Sequence, residues 1–158
     1  MKNLIYILIL LSLTSCKTNK INTINPTGTY ELENFNPDSE KETTEYFGLI
    51  QVKRFTKNKI VMTFMINKGA PSFNSGSFVD TLEFKSNRAI YKNAESDPSC
   101  EITLDFSAKG VTVKEKTDDY NSGCGFGHAV VANGFYRKTS FKEPILREPL
   151  TDKLIEKQ

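Results

Sequence analysis

Tryptophan, histidine and cysteine are scarce in this chain, and their scarcity excludes several kinds of chemistry. The sequence has no tryptophan, one histidine (His128) and three cysteines in 158 residues. A closed zinc site needs more nitrogen and sulfur ligands than a lone histidine and remote cysteines provide. No Gly-x-Ser-x-Gly segment marks a serine nucleophile. We therefore predict no metal, no cofactor and no enzymatic activity, with a hydrolase as the disfavoured alternative.

An excess of charge of either sign is also missing. The chain has 21 basic and 19 acidic residues, which gives a formal net charge of +2. Nucleic-acid-binding domains are usually strongly basic, so this balance excludes nucleic acid as an expected partner. The length suits one domain around a single core.

No hydrophobic run is long enough for a transmembrane helix, but a short one stands near the amino terminus. Crossing a bilayer takes about 20 apolar residues, whereas this run covers only Leu4–Leu11. Lys2 precedes the run, and small residues follow it up to Ser15. This arrangement is typical of a secretory signal peptide, which we predict over residues 1–15.

The residues that close this segment resemble the lipobox of bacterial lipoproteins. They are Leu13-Thr14-Ser15-Cys16. The resemblance implies that the Cys16 thiol carries acyl chains such as palmitate, that the peptide is cut just before Cys16, and that the new amino group is acylated. The alternative is an ordinary signal peptide with a chance cysteine.

The residues after the predicted anchor indicate a tether and a location. Residues 16–26 are mostly polar with little secondary-structure signal, so we predict a flexible tether that holds the domain off the membrane. Lys17 stands where enteric lipoproteins retained at the inner membrane have aspartate, and the acidic run of many surface-exported lipoproteins is absent. We predict a bacterial envelope protein, lipid-anchored on the periplasmic face of the outer membrane.

Alternation of apolar and polar residues recurs along the rest of the chain and predicts short β-strands. In Cys100–Phe106 every second residue is apolar, as in a strand with one buried face and one solvent-exposed face. Asn133-Gly134 predicts a type I′ hairpin that joins Gly127–Ala132 to Phe135–Thr139. About nine strands result, in segments 28–33, 46–55, 59–67, 78–84, 88–91, 100–106, 111–114, 127–132 and 135–139.

These strands predict an all-β fold, and we favour a small antiparallel barrel of about eight to nine strands over a sandwich. Gly28-Thr29-Tyr30 opens the domain and Gly134-Phe135-Tyr136 closes it. Pairing of the first and last strands would remove the open edges of the sheet. The architecture resembles that of small lipocalin-like barrels, although the tryptophan usual near the first strand of true lipocalins is missing.

The predicted barrel spans residues 27–140, and a tail follows over 141–158. Pro144 and Pro149 exclude a regular strand interior in the tail, whereas Leu150–Lys157 could form a short helix. The tail would either dock on the barrel or stay loose. An eight-stranded barrel is either filled by side chains or holds one small ligand. The aromatic residues predicted to line its interior are Phe47, Phe64, Phe78, Phe84, Tyr91, Phe106 and Tyr136.

Two cysteines remain if Cys16 carries lipid, and an even number in an exported protein suggests a disulfide. Cys100 and Cys124 would close a loop of about 25 residues, worth roughly 3 kcal/mol by the chain-entropy estimate. If their strands lay in chain order, the two residues would be roughly 9.6 Å apart, beyond disulfide reach. The bond therefore requires both cysteines to lie in loops, and two free thiols are the alternative.

The segment around Cys124 is the strongest candidate for a binding site. Its glycines would let the backbone turn tightly beside the disulfide. The segment resembles the rigid glycine-cysteine loops that periplasmic lysozyme inhibitors insert into an enzyme cleft. The alternative is a glycine-rich bend that only accommodates the disulfide. The predicted binding loop consists of Ser122, Gly123, Gly125, Phe126, Gly127 and His128.

Three polar features allow a functional and a plainer interpretation. A catalytic His128 would need a nucleophile and an orienting carboxylate, so an ordinary histidine is favoured. Calcium takes about six or more oxygen ligands, so Asp118-Asp119 is expected to be a solvated turn. Asp80 alternates with Phe78 and Leu82, so either it points into the barrel or the face is inverted near the strand's start. We favour the inverted face.

Together these features predict a lipid-anchored envelope protein that acts by non-catalytic binding, as a periplasmic inhibitor or immunity-type protein. Its partners would be the membrane, through lipid on Cys16, and another protein. The main alternative is a carrier of a small apolar ligand inside the barrel. A structural envelope lipoprotein that uses its tail for contacts is a further possibility.

Overall fold

The computed structural model describes residues 23–33 and 46–155 of the chain. The predicted signal segment, Cys16 and residues 17–22 of the predicted tether lie outside these residues. Within the described part of the chain, no helix is long and apolar enough to cross a membrane.

Within the described residues, eight strands form one antiparallel sheet that curls into a nearly closed barrel. In the sheet their order is β4-β3-β2-β1-β8-β7-β6-β5, so the first and last strands pair with each other. The prediction of a small antiparallel all-β barrel is confirmed, with eight strands. They are β1 (Gly28–Leu32), β2 (Phe47–Thr56), β3 (Lys59–Asn67), β4 (Ser75–Glu83), β5 (Arg88–Tyr91), β6 (Glu101–Phe106), β7 (Gly110–Lys116) and β8 (Gly134–Ser140).

The barrel is incompletely closed between β4 and β5. Ser86 and Asn87 form the turn between β4 and β5, with φ of 53° and 63°. These two strands are the outer strands of the sheet and do not form a ladder. A single bridge joins Lys85 and Arg88. We call this gap the seam.

The interior of the barrel is packed with large apolar side chains. In β3, for example, Ile60, Met62, Phe64 and Ile66 all point inward and are fully buried. The predicted interior position of Phe47 is wrong, since its side chain is 58% exposed. Phe47 lies an odd number of positions from buried Ile50 and Val52, so the alternation of β2 places it on the outer face. The other predicted interior aromatic residues are buried or half-buried, namely Phe64, Phe78, Phe84, Tyr91, Phe106 and Tyr136.

The predicted strand over Gly127–Ala132 and its Asn-Gly hairpin are wrong. This segment crosses one end of the barrel, with Gly127 donating its amide to the Ser75 carbonyl at 2.9 Å. The Asn133 side chain accepts a hydrogen bond from the amide of Glu115 at 2.6 Å. Asn133 thereby fastens the segment to β7 and does not form the centre of a hairpin turn.

The tail docks on the outside of the barrel, and the short helix considered for it is wrong over the described residues. Arg147 and Leu154 form a β-bridge, and Leu146 is buried. The Glu148 carboxylate accepts backbone hydrogen bonds from Leu150 at 3.1 Å and Thr151 at 2.5 Å. These bonds stabilise a turn that reverses the chain where a helix would have continued it.

The two ends of the barrel are built differently. At one end the chain enters β1 through residues 23–27, beside the tight turns 57–58, 84–87 and 107–109. The amide of Ile24 donates to the Asn87 side chain at 2.9 Å, which fixes this entry point. The opposite end carries the longer connections, which include 68–74, 92–100 and 117–133. We call them the entry end and the loop end.

Candidate functional site

A disulfide between Cys100 and Cys124 fixes the main connection of the loop end. Cys100 directly precedes β6, and Cys124 is the middle residue of a single 3₁₀ turn, Gly123–Gly125. The sulfurs are 2.04 Å apart and the Cα atoms 4.9 Å apart, so the predicted bond is present. Because 127–132 is not a strand, the separation of two strand spacings that would prevent the bond does not arise.

The backbone at the disulfide adopts an unfavourable conformation. Cys124 has φ of 58°, in the left-handed region that residues with a side chain rarely adopt. Gly125 follows with φ of 74°, where its lack of a side chain avoids the same strain. A strained residue persists only where its surroundings hold it firmly, which is common at binding sites.

Asp97 is the residue that holds this turn in place. Its buried carboxylate accepts hydrogen bonds from the Cys124 amide at 2.9 Å and the Thr117 hydroxyl at 2.7 Å. It also accepts from the amide and hydroxyl of Ser99, at 2.9 and 2.6 Å. These bonds, led by the one from the Ser99 hydroxyl, lower the pKa of Asp97 far below its usual range. The ionised carboxylate therefore ties connection 92–100 to connection 117–133.

Sequence reasoning missed this role of Asp97. The signal was the local pattern Asp97-Pro98-Ser99, because an aspartate commonly accepts a hydrogen bond from the amide two residues later. A carboxylate oxygen of Asp97 and the sulfurs of Cys100 and Cys124 all lie within 4.8 Å of one another, a grouping that could suggest a metal site. Both sulfurs belong to the disulfide, so neither offers a thiolate ligand.

Phe126 inserts into the loop end of the barrel as a plug. Its buried ring stacks on Phe64 with centroids 6.0 Å apart, and Phe64 in turn stacks on Phe78 at 5.0 Å. Phe78 stacks on Tyr91 at 3.7 Å across the seam. A Cβ atom at Gly76 would lie 2.3 Å from the Phe126 ring, so glycine is needed there. The loop is thus anchored from the interior as well as by the disulfide.

The predicted binding loop therefore divides into residues that pack and residues that face solvent. Gly123 and Phe126 are buried, and Gly127 is half-buried. Ser122, Gly125 and His128 are exposed. A partner at the loop end would meet the second group.

Two exposed aromatic residues lie in connections of the same end, and sequence reasoning did not select them. Tyr120 is 71% exposed and Phe73 is 66% exposed. The connection that holds Phe73 is fastened to the binding loop, because the Asn74 side chain donates to the His128 carbonyl at 3.1 Å. Phe73 has φ of 51°, a strained value for a bulky residue. The only available signal was an aromatic residue within a turn-rich segment.

The remaining polar candidates are Asp119 and Asp80, and their contacts are with neighbouring parts of the fold. The Asp119 carboxylate accepts from the Ser122 hydroxyl at 2.5 Å and the Asn121 amide at 2.9 Å, and these bonds lower its pKa. Asp119 thus orders the turn that leads into the binding loop. Asp80 pairs with the inward-facing Met62 and is half-buried at the seam. The favoured interpretation, in which this face is inverted near the start of the strand, is therefore wrong. Burial and, to a smaller extent, the charge of Asp80 raise the pKa of Tyr91.

Glu115 is a half-buried carboxylate on the inner face of β7, near the loop end. It accepts a hydrogen bond from the Ala132 amide at 2.6 Å. Burial raises its pKa most, the bond from Ala132 opposes that shift, and the charge of Asp97 adds to it. Glu115 therefore holds the segment that crosses the barrel end, as Asp97 holds the turn before it.

A groove of about 790 Å³ lies outside the barrel, between the docked tail and the outer face of β2–β4. Its apolar walls include Val61 and Val79 from the sheet and Ile145 and Leu154 from the tail. The groove is separate from the packed interior and from the loop end.

Comparison of the chain with protein-family models, with curated proteins and with solved structures finds no match.

Proposed function

We propose that this protein is a lipid-anchored lipoprotein of the bacterial envelope that binds a partner protein through its loop end and catalyses no reaction. The lipid would be attached to Cys16, and the protein would lie on the periplasmic face of the outer membrane. Binding of this kind suits an inhibitor or an immunity-type protein, which blocks its partner by occupying a surface.

The observation that carries the proposal is the fixed loop at the end of the barrel opposite the chain's entry. The disulfide, the Asp97 carboxylate and the Phe126 plug all act on residues 117–128. A rigid loop loses little conformational entropy when it binds, and preorganisation of this kind raises affinity. Because the tether enters at the entry end, a membrane anchor there leaves the loop end directed away from the bilayer.

The side chains exposed at the loop end suit a protein partner. Tyr120 and Phe73 are exposed aromatic residues in two connections of this end, and the exposed His128 belongs to the binding loop that the Asn74 side chain fastens to the connection of Phe73. Aromatic residues are enriched where partner proteins gain most of their binding energy. The strained φ of Phe73 adds support, because strain is retained where function requires it.

Packing inside the barrel favours surface binding over carriage of a small apolar ligand. Tyr30, Phe64 and Tyr136 are fully buried and fill the interior with rings. Phe126 covers the loop end, through which a ligand would otherwise enter. A ligand carrier is expected to keep an enclosed apolar space of about 300 Å³ or more.

The proposal is tested by affinity capture from the native envelope with three forms of the full chain. They are the wild type, a loop-end variant Tyr120→Ala/His128→Ala and a control variant Ile145→Ala/Leu150→Ala. Both variants shorten exposed side chains, and the control does so on the tail. Thermal unfolding of each variant shows whether its fold is intact.

We expect a protein that is recovered with the wild type and the control and that loses at least about tenfold in affinity for the loop-end variant. Its affinity would then be measured with the purified partner. Equal binding of the loop-end variant would place the binding site elsewhere and contradict the proposal.

A further inference from the structure

Lysines occupy every turn at the entry end of the barrel. Lys57 lies in the turn between β2 and β3, Lys85 begins the turn between β4 and β5, and Lys109 lies in the turn between β6 and β7. Lys142 follows the end of β8. All four side chains are exposed. We call these four residues the turn lysines.

The turn lysines take no part in the ion pairs of the described residues. The acidic side chains near this end are matched to other cations, with Glu83 at 3.6 Å from Lys59 and Asp105 at 2.5 Å from Arg88. Glu143 likewise pairs with Lys53 at 2.5 Å. The turn lysines are therefore positive charges in excess at this end.

Backbone hydrogen bonds hold the entry-end turns together as one surface. The Phe84 amide donates to the Asn58 carbonyl at 2.7 Å, and the Phe106 amide donates to the Asn87 carbonyl at 2.8 Å. The Lys138 amide donates to the Lys109 carbonyl at 2.9 Å. The lysines thus belong to a rigid surface and not to separate mobile loops.

The chain leaves the barrel toward its amino terminus through this same surface. The Lys138 ammonium group donates to the Asn25 carbonyl at 3.2 Å, close to where the chain enters β1. Lys17 and Lys20 follow in the sequence toward Cys16. At the loop end, by contrast, Glu95, Asp118 and Asp119 are exposed. The loop end also has lysines, namely Lys68, Lys92, Lys114 and Lys116, but these carboxylates offset their charge, so the net positive charge lies on the side from which the tether departs.

We infer that the entry end is a membrane-facing surface whose turn lysines bind anionic lipid headgroups. Phe141, which is 75% exposed, lies beside Lys142 and under the Lys138 ammonium group, 4.7 Å from its ring centroid. An exposed apolar ring among lysines suits the boundary between headgroups and acyl chains, where interfacial segments combine phenylalanine with basic residues. The inference rests on the proposed anchor only for the direction from which the membrane approaches. It adds that the domain lies with its turns on the bilayer and its loop end outward, and it replaces the expectation that the tether holds the domain away from the membrane.

Each lysine near an anionic bilayer raises affinity about fivefold, and the effect weakens as salt screens the charges. The test uses the full chain with Cys16→Ser, so that no lipid can attach, in flotation with vesicles. One set of vesicles contains equal parts of phosphatidylglycerol and phosphatidylcholine, and the other contains phosphatidylcholine alone. The apolar run near the amino terminus is present in every sample and contributes to binding of both kinds of vesicle. The ratio of binding to the two compositions therefore measures the contribution of the lysines.

Two variants with four substitutions each are compared in that background. One carries Lys57→Gln, Lys85→Gln, Lys109→Gln and Lys142→Gln. The charge-matched control carries Lys68→Gln, Lys92→Gln, Lys114→Gln and Lys116→Gln, which remove the same charge near the loop end, where Lys68 is half-buried and Lys92 pairs with Glu101 at 3.2 Å. We expect the first variant to lose at least about tenfold of the preference for anionic vesicles, and the control to lose about twofold or less. The preference should also fall when salt is raised from about 0.05 to about 0.5 M.

The inference is overturned if the unsubstituted chain shows no preference for anionic vesicles, or if both variants lose it equally. Equal loss would mean that net charge matters and its placement does not. Neither result bears on the loop end, which the capture experiment tests separately. Lipid on Cys16 is tested by mass, so failure of the anchor is also distinguishable.

Discussion

Tyr30 and Tyr136 hold equivalent places in the first and last strands. Each hydroxyl donates to the backbone carbonyl four residues earlier, that of Pro26 at 2.5 Å and that of Ala132 at 3.2 Å. Each tyrosine is fully buried and follows by two residues a glycine with φ near +150°, which is 148° at Gly28 and 150° at Gly134. The repeated Gly-x-Tyr pattern is thus the local structure at which the first and last strands pair and join the two halves of the sheet.

Removal of either hydroxyl should destabilise the barrel. We expect Tyr30→Phe and Tyr136→Phe each to lower the free energy of unfolding by about 1–2 kcal/mol, because each leaves a buried carbonyl without its donor. Urea unfolding followed by circular dichroism measures the loss. Tyr120→Phe, at an exposed position, should change stability by less than about 0.5 kcal/mol. If all three variants unfolded alike, the two buried hydrogen bonds would not stabilise the closure.

Insertion of Phe126 depends on the missing side chain at Gly76. We expect Gly76→Ala to cost about 1–3 kcal/mol, because the new methyl group would overlap the Phe126 ring. Ser77→Ala, on the other face of the same strand, is the control and should cost less than about 0.5 kcal/mol. Hydrogen exchange in residues 121–130 should accelerate only in the first variant. Unchanged exchange there would show that the loop does not need its plug.

The seam is bridged by two aromatic rings where a strand ladder is missing. A double-mutant cycle with Phe78→Leu and Tyr91→Leu should give a coupling free energy of about 0.5–1.5 kcal/mol, because their rings stack directly. The same cycle with Phe78→Leu and Ile90→Ala should give no coupling, since Ile90 is exposed on the other face of β5. A coupling free energy of zero for Phe78 and Tyr91 would mean that their stacking across the seam does not stabilise the barrel.

The carboxylate of Asp97 should make stability depend on acid pH. Its pKa is lower in the folded protein than the unfolded value of about 3.9, so the carboxylate stabilises the fold fully above that value. The stabilisation is lost as the pH falls toward the folded pKa. Asp97→Asn should therefore lower the melting temperature by several degrees at pH 7, and the difference from wild type should shrink below about pH 4. Asp118→Asn, at an exposed position, is the control, and a difference that persisted unchanged to about pH 2 would contradict the role of Asp97.

Local patterns in the sequence predict most of this fold. The alternation in β3, the turn at Ser86-Asn87 and the paired Gly-x-Tyr segments each depend on neighbouring residues, and each appears as expected. The predicted strand over 127–132 is wrong because its apolar residues are buried against one end of the barrel, where burial does not require pairing with another strand. The hairpin predicted at Asn133 is wrong because its side chain accepts a hydrogen bond from the amide of Glu115, which is remote in sequence.

The candidate site was located only in part. Cys100 and Cys124 could be paired by counting, and the glycines marked the turn. The burial of Gly123 depends on a contact with Thr117, six residues earlier in the same connection. The burial of Phe126 depends on Gly76 and Phe64, which lie on other strands. The exposure of Phe73 and Tyr120 likewise follows from the fold, and their neighbours in the sequence do not indicate it.

The most direct test of the central claim is the intact mass of the protein purified from its native envelope, before and after reduction and alkylation. We expect a mass that matches residues 16–158 plus acyl chains, with two alkylatable thiols that appear only after reduction. That result would establish both the lipid anchor and the disulfide that fixes the loop end. An unlipidated chain, or two thiols that react without reduction, would contradict the account of a tethered protein with a rigid binding loop.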